Sequence, residues 1–433
     1  MEGSPLADGA GPSNWLRFTH TPGKIAGGDT ADVACDHYRR YPADIELMRE
    51  LGLNAYRFSI AWGRIMPAGR GAVNPAGLDH YSRLIDHLCR HGITPNVTLF
   101  HWDLPQALQD EGGWLNPDMP RWFADYARTV FEALDDRVPM WATLNEPWVV
   151  SDAGYMHGPH PPGIASPHEA ARAAHGLLLS HGAAVQAYRA VGRHKIGIVV
   201  NLEPKDPATP TLEDAAAAQR SDVYMNRQYL DPIFFGRYPQ ALRGLFGDAW
   251  PHGAAPDLSL AKQPIDFLGV NYYKRGVMRH DDTRPVERAA QAHPPGRPYT
   301  EMNWEVHPES LTRTLCWVRD TYGEIPLYIT ENGAAFADPP HATGDLVEDP
   351  QRVDYLCRHL VAAREAIERG VDLRGYFAWS LLDNLEWAHG FSKRFGLIHV
   401  DYTTQKRTLK RSALVYRSIV RSNGAALAEH AGA

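Results

Sequence analysis

Short runs of apolar and β-branched residues recur along the chain and alternate with longer stretches of helical periodicity. Seven runs have the length and composition of strands: "NAYRFSI" (54–60), "TPNVTLF" (94–100), "VPMWATLN" (138–145), "KIGIVVNL" (195–202), "DFLGVNYY" (266–273), "PLYITEN" (326–332) and "GYFAWSLL" (375–382). Between them, apolar residues return every three or four positions, as over residues 78–88 in a predicted helix that Gly92 ends. Strands that are apolar on both faces and alternate with helices predict a parallel sheet covered by helices.

Polar and aromatic residues collect at the carboxyl end of nearly every predicted strand. They are Arg57, His101, Trp102, Asn145, Glu146, Asn271, Tyr273, Glu331 and Trp379. Only a closed barrel brings all such strand ends around one pocket, so the predicted fold is α/β, a (β/α)8 TIM barrel. No GxGxxG or GxxxxGK follows any predicted strand, which removes the usual evidence for a nucleotide-binding fold.

The barrel is expected to be incomplete at its N-terminus. A TIM barrel has about eight strands, whereas the chain shows seven, and residues 1–30 contain none before the helix predicted over 43–51. Two unpaired sheet edges should therefore face a gap between the strands at 54 and 375, which invites water or pairing with a second copy of the chain. We expect one barrel domain over residues 1–423 and a tail over 424–433 that has little to bury.

Composition and charge exclude several classes of protein. The chain has 433 residues, of which 44% are hydrophobic and 22% charged, and a net charge of −7 without a basic stripe, so a nucleic-acid partner is not expected. No apolar run approaches the roughly 20 residues of a membrane span, and the polar start lacks a signal-peptide core, so a cytoplasmic protein is expected. The four cysteines lie far apart, which suggests neither disulfides nor a zinc site.

Two glutamates stand at equivalent places, each at the end of a predicted buried strand. Glu146 follows Asn145 in "WATLNEPW" (141–148), and Glu331 precedes Asn332 in "YITENG" (328–333). A carboxylate in such a place is costly unless something uses it. Paired carboxylates in one cleft are the machinery of glycoside hydrolysis, with one as proton donor and one as nucleophile or water activator. A surface residue or ion pair would explain one such glutamate, but two favour catalysis.

Six motifs in order resemble glycoside hydrolase family 1, the retaining β-glucosidases and β-galactosidases. They are "AYRFSIAWGRI" (55–65), "FHWDLPQAL" (100–108), "TLNEP" (143–147), "FLGVNYY" (267–273), "TENG" (330–333) and "AWSLLDNLEWAHGFSKRFGL" (378–397). The resemblance implies a (β/α)8 barrel and a two-step mechanism that retains the anomeric configuration. It implies that Glu146 is the general acid/base and Glu331 the nucleophile, with Arg57, Asn271 and Tyr273 supporting the nucleophile.

The same resemblance implies a set of sugar-binding residues. His101, Trp102, Asn145, Glu386 and Trp387 match positions that bind the glycon, and Trp304 and Trp379 match ring platforms. Glu386 would repel a phosphate, so an unphosphorylated sugar is expected. For an isolated Trp or His, core packing is the stronger alternative. The histidines between 157 and 181 lack the spacing of a metal motif, so neither a metal nor a cofactor is expected.

The chain departs from the family pattern at its start. In the family a first strand delivers a sugar-binding glutamine just before a Glu-Gly pair; here Glu2 and Gly3 match the pair, and the glutamine would precede Met1. The expected function is a retaining exo-β-glycosidase that hydrolyses terminal unphosphorylated β-D-glucosyl residues, with galactosyl and fucosyl as alternatives. Transfer to acceptors instead of water stays open. The alternative from another class is a weakly active or non-catalytic sugar-binding barrel.

Overall fold

The computed structural model describes residues 2–253 and 256–430, and its centre is a parallel sheet of seven strands. Numbered along the chain, the strands are β1 (Ala55–Ser59), β2 (Thr94–Phe100), β3 (Met140–Asn145), β4 (Lys195–Asn201), β5 (Phe267–Asn271), β6 (Leu327–Asn332) and β7 (Leu373–Ala378). Each one overlaps a run of apolar and β-branched residues, because such side chains suit a strand that is covered on both faces. The predicted α/β class is confirmed.

The strands lie in the sheet in the order in which they occur along the chain, and every neighbouring pair is parallel. Four strands lie between β1 and β6, yet Arg57 of β1 bonds Glu331 of β6, with 2.8 Å between Nη1 and Oε1. The sheet must therefore curl until its two ends approach each other, and it forms the near-barrel that the sequence predicts. The carboxyl ends of the strands meet at one mouth.

The two end strands differ from the five between them. Most residues of β2 to β6 are buried, whereas every residue of β1 is half-buried and β7 contains no buried residue. Within the described residues, β1 pairs only with β2, and β7 only with β6. We call the space between β1 and β7 the seam. A cavity of about 330 Å³ lies there and extends to His101 and Trp387 at the mouth.

Helices cover the outside of the sheet. The α-helices are Asn14–Thr19, His37–Glu50, Trp62–Ile65, Pro75–Arg90, Gln106–Asp110, Met119–Leu134, Pro147–Ser151, Pro167–Val191, Leu212–Asp222, Gln228–Phe235, Leu242–Phe246, Glu309–Tyr322, Pro350–Glu368, Arg411–Arg421 and Leu427–His430. Two π-helical turns, Asp152–Met156 and Val223–Arg227, and five 3-10 turns, Ala7–Gly9, Ala26–Gly28, Gly113–Leu115, Gly247–Ala249 and Trp387–Ser392, complete the helical elements of the described residues.

Local sequence explains where the long helices begin and how they pack. Proline stands in the first turn of Pro75–Arg90, Met119–Leu134 and Pro167–Val191, where its missing N–H costs nothing. In Met119–Leu134 the apolar residues fall on one stripe that packs into the main core. This shell fixes the strands, so the mouth of the barrel is held by a rigid frame.

Two small sheets decorate the frame. The stretch 274–308 is polar and rich in proline, as loops often are. Within it, Gly276–His280 and Ala289–Gln291 form strands that join Lys205–Pro207 in a three-stranded sheet. Leu346–Val347, Ile398–Val400 and Arg407–Lys410 form the other small sheet. The strands over 276–291 could not be predicted from their polar composition, because they pair with a segment that is distant in the sequence.

The end of the chain packs against the body as far as it is described. Leu427 is buried beside Cys357, Val415 and Ile419, and the last residues of the predicted tail, 431–433, lie outside the described residues. The division into one domain over 1–423 and a tail over 424–433 stays a prediction. In the part of the chain that the structure describes, no helix has both the length and the apolar character needed to cross a bilayer.

Candidate active site

Two buried glutamates lie at the mouth of the barrel. Glu331 occupies the penultimate position of β6, and Glu146 comes directly after β3, before the helix Pro147–Ser151. Their exposed fractions are 3% and 5%. Glu146 has a left-handed backbone, with φ 48°, which is costly for a residue with a side chain and is tolerated where the surroundings hold it. The turn directs Glu146 away from the regular strand path.

Glu331 is surrounded by donors. Arg57 donates from Nη1 to Oε1 over 2.8 Å, and the Tyr273 hydroxyl donates to Oε2 over 2.6 Å. Both oxygens of the carboxylate are thus bonded, one of them to a fixed positive charge. Burial and the charge of Glu331 raise the pKa of the Tyr273 hydroxyl well above its usual value, so this group stays a proton donor. These contacts stabilise negative charge on Glu331.

Glu146 has a different environment. Its Oε1 accepts one hydrogen bond, from Asn271 Nδ2 over 2.6 Å. Burial and the negative charge of Glu331 raise the pKa of Glu146 well above its usual range, and these effects outweigh the hydrogen bond from Asn271 and the charge of Arg57. The partners of the two glutamates, Asn271 and Arg57, donate to the same oxygen of Asn145, so the two carboxyl groups lie close together at the mouth. Burial and the charge of Glu331 both favour the protonated form of Glu146.

Asn145 connects the two halves of the site. Its Oδ1 accepts from Arg57 Nη2 over 2.6 Å and from Asn271 Nδ2 over 3.2 Å. These two bonds fix the amide, whose Nδ2 points to His101 Nε2 over 3.1 Å. Sugar binding by Asn145 stays a prediction, and these bonds hold its amide between neighbouring side chains. Asn145 joins the partner of Glu331 to the partner of Glu146.

The structure gives Asn271 a hydrogen-bond partner that differs from the predicted one. The resemblance placed it among the supports of Glu331, but its Nδ2 donates to Glu146 and Asn145. The reason is the hydroxyl of Thr330, which donates to Asn271 Oδ1 over 2.7 Å and so turns the amide nitrogen toward Glu146. Thr330 was not singled out from the sequence, although it stands next to Glu331. Its position in the "TENG" motif is the only sequence signal.

His101 has one N–H with which it can donate a hydrogen bond to a ligand. Because the Asn145 amide nitrogen donates to Nε2, the neutral ring carries its hydrogen on Nδ1. Burial and the charge of Arg57 lower the pKa of His101 well below its usual value, which keeps the ring neutral. The ring also stacks on Trp379, with centroids 6.0 Å apart.

An aromatic wall lines one side of the mouth. Trp387 lies 4.4 Å from Trp102 and 4.6 Å from Trp15 between ring centroids. Trp102 and Trp387 both have left-handed backbones, with φ 80° and 49°, so three strained residues, counting Glu146, cluster here. Trp15 was missed by sequence reasoning, because its helix, Asn14–Thr19, carries no motif.

The remaining predicted residues also reach the mouth. Trp304 packs 5.0 Å from the Tyr273 ring, at the opposite side from the aromatic wall. Glu386 precedes Trp387, and burial together with the charge of Glu331 raises its pKa to about 8. The site therefore brings together the twelve predicted residues, three of which are acids. Glu146 and Glu331 accept hydrogen bonds from amide, guanidinium and hydroxyl groups. These surroundings suit a pair of catalytic carboxyl groups rather than ligands of a metal ion.

Comparison with known proteins agrees with this geometry. A family model described as glycosyl hydrolase family 1 matches residues 1–425. Beta-glucosidase A of Thermotoga maritima is 48% identical over 431 residues, which cover 98% of this chain and 95% of that protein. The bifunctional beta-D-glucosidase/beta-D-fucosidase of Bifidobacterium breve is 43% identical, over 98% of this chain and 96% of that protein.

Solved structures give the same result. The beta-glucosidase from Thermotoga maritima in complex with glucoimidazole superposes with a TM-score of 0.94 at 47% identity, and the match covers 98% of this chain and 96% of that chain. The chain therefore belongs to glycosyl hydrolase family 1.

Proposed function

We propose that the chain is a retaining, exo-acting β-glucosidase in which Glu331 is the nucleophile and Glu146 the general acid/base. The observation that carries the proposal is the unequal environment of two buried glutamates at one mouth of the barrel. Arg57 and Tyr273 stabilise charge on Glu331, while burial and that charge keep the proton on Glu146. One carboxylate and one carboxylic acid side by side are the two groups that the double displacement needs.

In the first step Glu331 attacks the anomeric carbon while Glu146 transfers its proton to the glycosidic oxygen. The C–O bond to the aglycone breaks, the alcohol leaves, and a glycosyl ester forms on Glu331. The charge of Glu331 is consumed in that ester. Since this charge is one of the causes of the raised pKa of Glu146, the pKa falls in the intermediate.

In the second step Glu146 acts as a base. It takes a proton from water, the oxygen attacks the anomeric carbon, and the ester bond to Glu331 breaks with its electron pair returning to the carboxylate. The product keeps the β configuration, and both glutamates return to their starting protonation states. Asn271, which holds Glu146 through Oε1, orients the acid in both steps.

The substrate proposal rests on the glycon pocket. His101 Nδ1 and Glu386 offer polar groups to sugar hydroxyls, and Trp379 and Trp387 offer ring faces. A phosphorylated sugar would bring a dianion against a buried acid that already feels the charge of Glu331. We therefore propose an unphosphorylated β-D-glucosyl unit, with fucosyl as the second candidate, since one relative is named for both activities.

The proposed function is tested by hydrolysis of 4-nitrophenyl β-D-glucoside, with its α anomer and its 6-phosphate as comparisons. We expect nitrophenol release from the unphosphorylated β-glucoside and little from the other two. Glu331→Gln reports contaminating activity, and Glu213→Gln, at an exposed helix start, is the matched control. Equal rates for the wild type and Glu331→Gln would support a sugar-binding barrel instead.

Acceptor use and assembly are separate proposals. Adding methanol to the assay and measuring methyl glucoside separates transfer from hydrolysis. Pairing of two chains through the seam, where β1 and β7 have free edges in the described residues, is tested by sedimentation velocity. A monomer at micromolar concentration would contradict pairing without affecting the catalytic proposal.

A further inference from the structure

A cluster of possible metal ligands lies at the opposite end of the barrel from the active site. It consists of Glu46, in the last turns of the helix His37–Glu50, and of His87 and His91, at the end of the helix Pro75–Arg90. Among the described residues it is the one group of three or more His, Cys, Asp or Glu residues with convergent ligand atoms. None of these residues belongs to the machinery described above.

The geometry suits a small cation. Each residue offers one ligand atom, and all three atoms lie within 4.8 Å of one another. His91 Nε2 and Glu46 Oε1 are 3.0 Å apart. In a tetrahedral zinc site with bonds of about 2.0–2.1 Å, neighbouring ligand atoms are about 3.4 Å apart. Small rotations about the side-chain bonds of His87 would therefore complete a site of this size.

The two histidines are four residues apart, so they lie on one face of the helix end. Their rings are 5.0 Å apart between centroids. A simple ion pair between His91 and Glu46 would not need His87. The Nε2 atom of His87 is nevertheless buried, and it has no hydrogen-bond partner among the described residues. A buried ring nitrogen without a partner is costly, and a cation would satisfy it.

The carboxylate is held by an outer contact. Arg49 Nε donates to Glu46 Oε2 over 2.8 Å, which leaves Oε1 directed at His91. Outer contacts of this kind orient metal ligands in known sites. The arginine charge also weakens cation binding, so we expect affinity in the micromolar range rather than the tighter range of closed structural zinc sites.

We propose that Glu46, His87 and His91 form a Zn²⁺ site that clamps the two helices on either side of β1. Two imidazoles and one carboxylate are ligands that zinc prefers, and a water would take the fourth position. Beneath the cluster the helices share a small core of Ile45, Met48, Leu84, Leu88 and Ile93. The clamp would therefore stabilise the half-buried end strand at the seam.

The site is tested with the full chain after dialysis against a chelator. Titration with Zn²⁺ should show one bound ion that His87→Ala and Glu46→Gln weaken by about 100-fold or more, beyond the roughly 10–100-fold cost of losing an outer contact. Saturating Zn²⁺ should raise the midpoint of thermal unfolding of the wild type by about 2–4 °C and leave the variants unchanged. Co²⁺ should give the intense visible bands of tetrahedral coordination.

Controls keep the test specific. His341→Ala removes an exposed histidine far from the cluster and should bind Zn²⁺ as the wild type does. Circular dichroism shows whether each variant is folded, and Glu46→Gln keeps the volume of the side chain. No bound ion in the wild type, or equal binding by the wild type and His87→Ala, would overturn the proposal. Binding retained in Glu331→Gln excludes the active-site carboxylates as the metal site.

Discussion

Glu146 and Glu331 are both buried at the mouth of the barrel, but their hydrogen-bond partners differ. Glu331 receives hydrogen bonds on both oxygens, one from the cation of Arg57, whereas Glu146 receives one bond from a neutral amide. Two side chains of the same type can therefore act as a base and as an acid in one site, because their neighbouring residues differ. Asn145 joins the two environments, because it contacts both Arg57 and Asn271.

The largest expected effect comes from removing the nucleophile, because the variant abolishes the difference between the two glutamates. Glu331→Gln should lower kcat for a β-glucoside by about 10⁴-fold or more, because no covalent ester can form. The variant also removes the charge that raises the pKa of Glu146. Stopped-flow and long-time assays with 4-nitrophenyl β-glucoside measure the loss. A loss below tenfold would show that Glu331 does not form the bond.

Removing the acid should have a smaller effect that depends on the leaving group. General acid–base catalysis contributes about 10²–10⁴-fold, so Glu146→Gln should lose that much with an alkyl aglycone and less in the first step with a nitrophenyl aglycone. A set of aryl glucosides with different leaving-group pKa values measures this dependence. An equal loss for all leaving groups would contradict the role of Glu146 as proton donor.

Tyr273→Phe tests the support of the nucleophile. It removes one hydrogen bond of 2.6 Å to a charged oxygen, and such bonds contribute about 1.5–3 kcal/mol, or roughly 10–100-fold in kcat/KM. Phenylalanine keeps the ring that packs on Trp304. Tyr238→Phe, whose hydroxyl bonds His175 instead, is the matched control and should keep nearly full activity.

The smallest expected effect is a shift in pH dependence. Activity requires a protonated Glu146, so kcat/KM should fall as pH rises through its pKa. The bond from Asn271 favours the ionised form and lowers that pKa, so Asn271→Ala should move the alkaline limb to higher pH. Thr330→Val removes the hydrogen bond that orients the Asn271 side-chain amide but keeps the amide itself. It should therefore shift the alkaline limb in the same direction by a smaller amount. A shift to lower pH would contradict this account.

The seven strands of the central sheet could be predicted from the sequence because the same apolar pattern recurs in each of them. Each strand overlaps its predicted run, because apolar and β-branched residues leave a continuous signal, and the largest difference is at β7, which ends at Ala378 rather than at 382. Both glutamates were found because they interrupt that signal at strand ends. The strands over 276–291 were missed, because their pairing with 205–207 is set by a distant contact that local composition does not record.

The details of the site were harder to predict than its members. Asn271 was found, but its partner depends on the Thr330 hydroxyl that turns the amide. The left-handed backbones of Trp102, Glu146 and Trp387 have no sequence signature, because none is a glycine or asparagine. The identity of a site residue can be predicted from its local motif, whereas the orientation of its side chain depends on neighbours from other strands.

The central claim is that Glu331, and not Glu146, forms the bond to the sugar. Incubation with a 2-deoxy-2-fluoro-β-D-glucosyl fluoride, which slows the second step more than the first, followed by proteolysis and mass spectrometry, tests it directly. We predict one glycosyl adduct on the peptide that contains Glu331, and a product of β configuration when the unmodified glucoside is followed by NMR. An adduct on the peptide of Glu146, or a product of α configuration, would contradict the account.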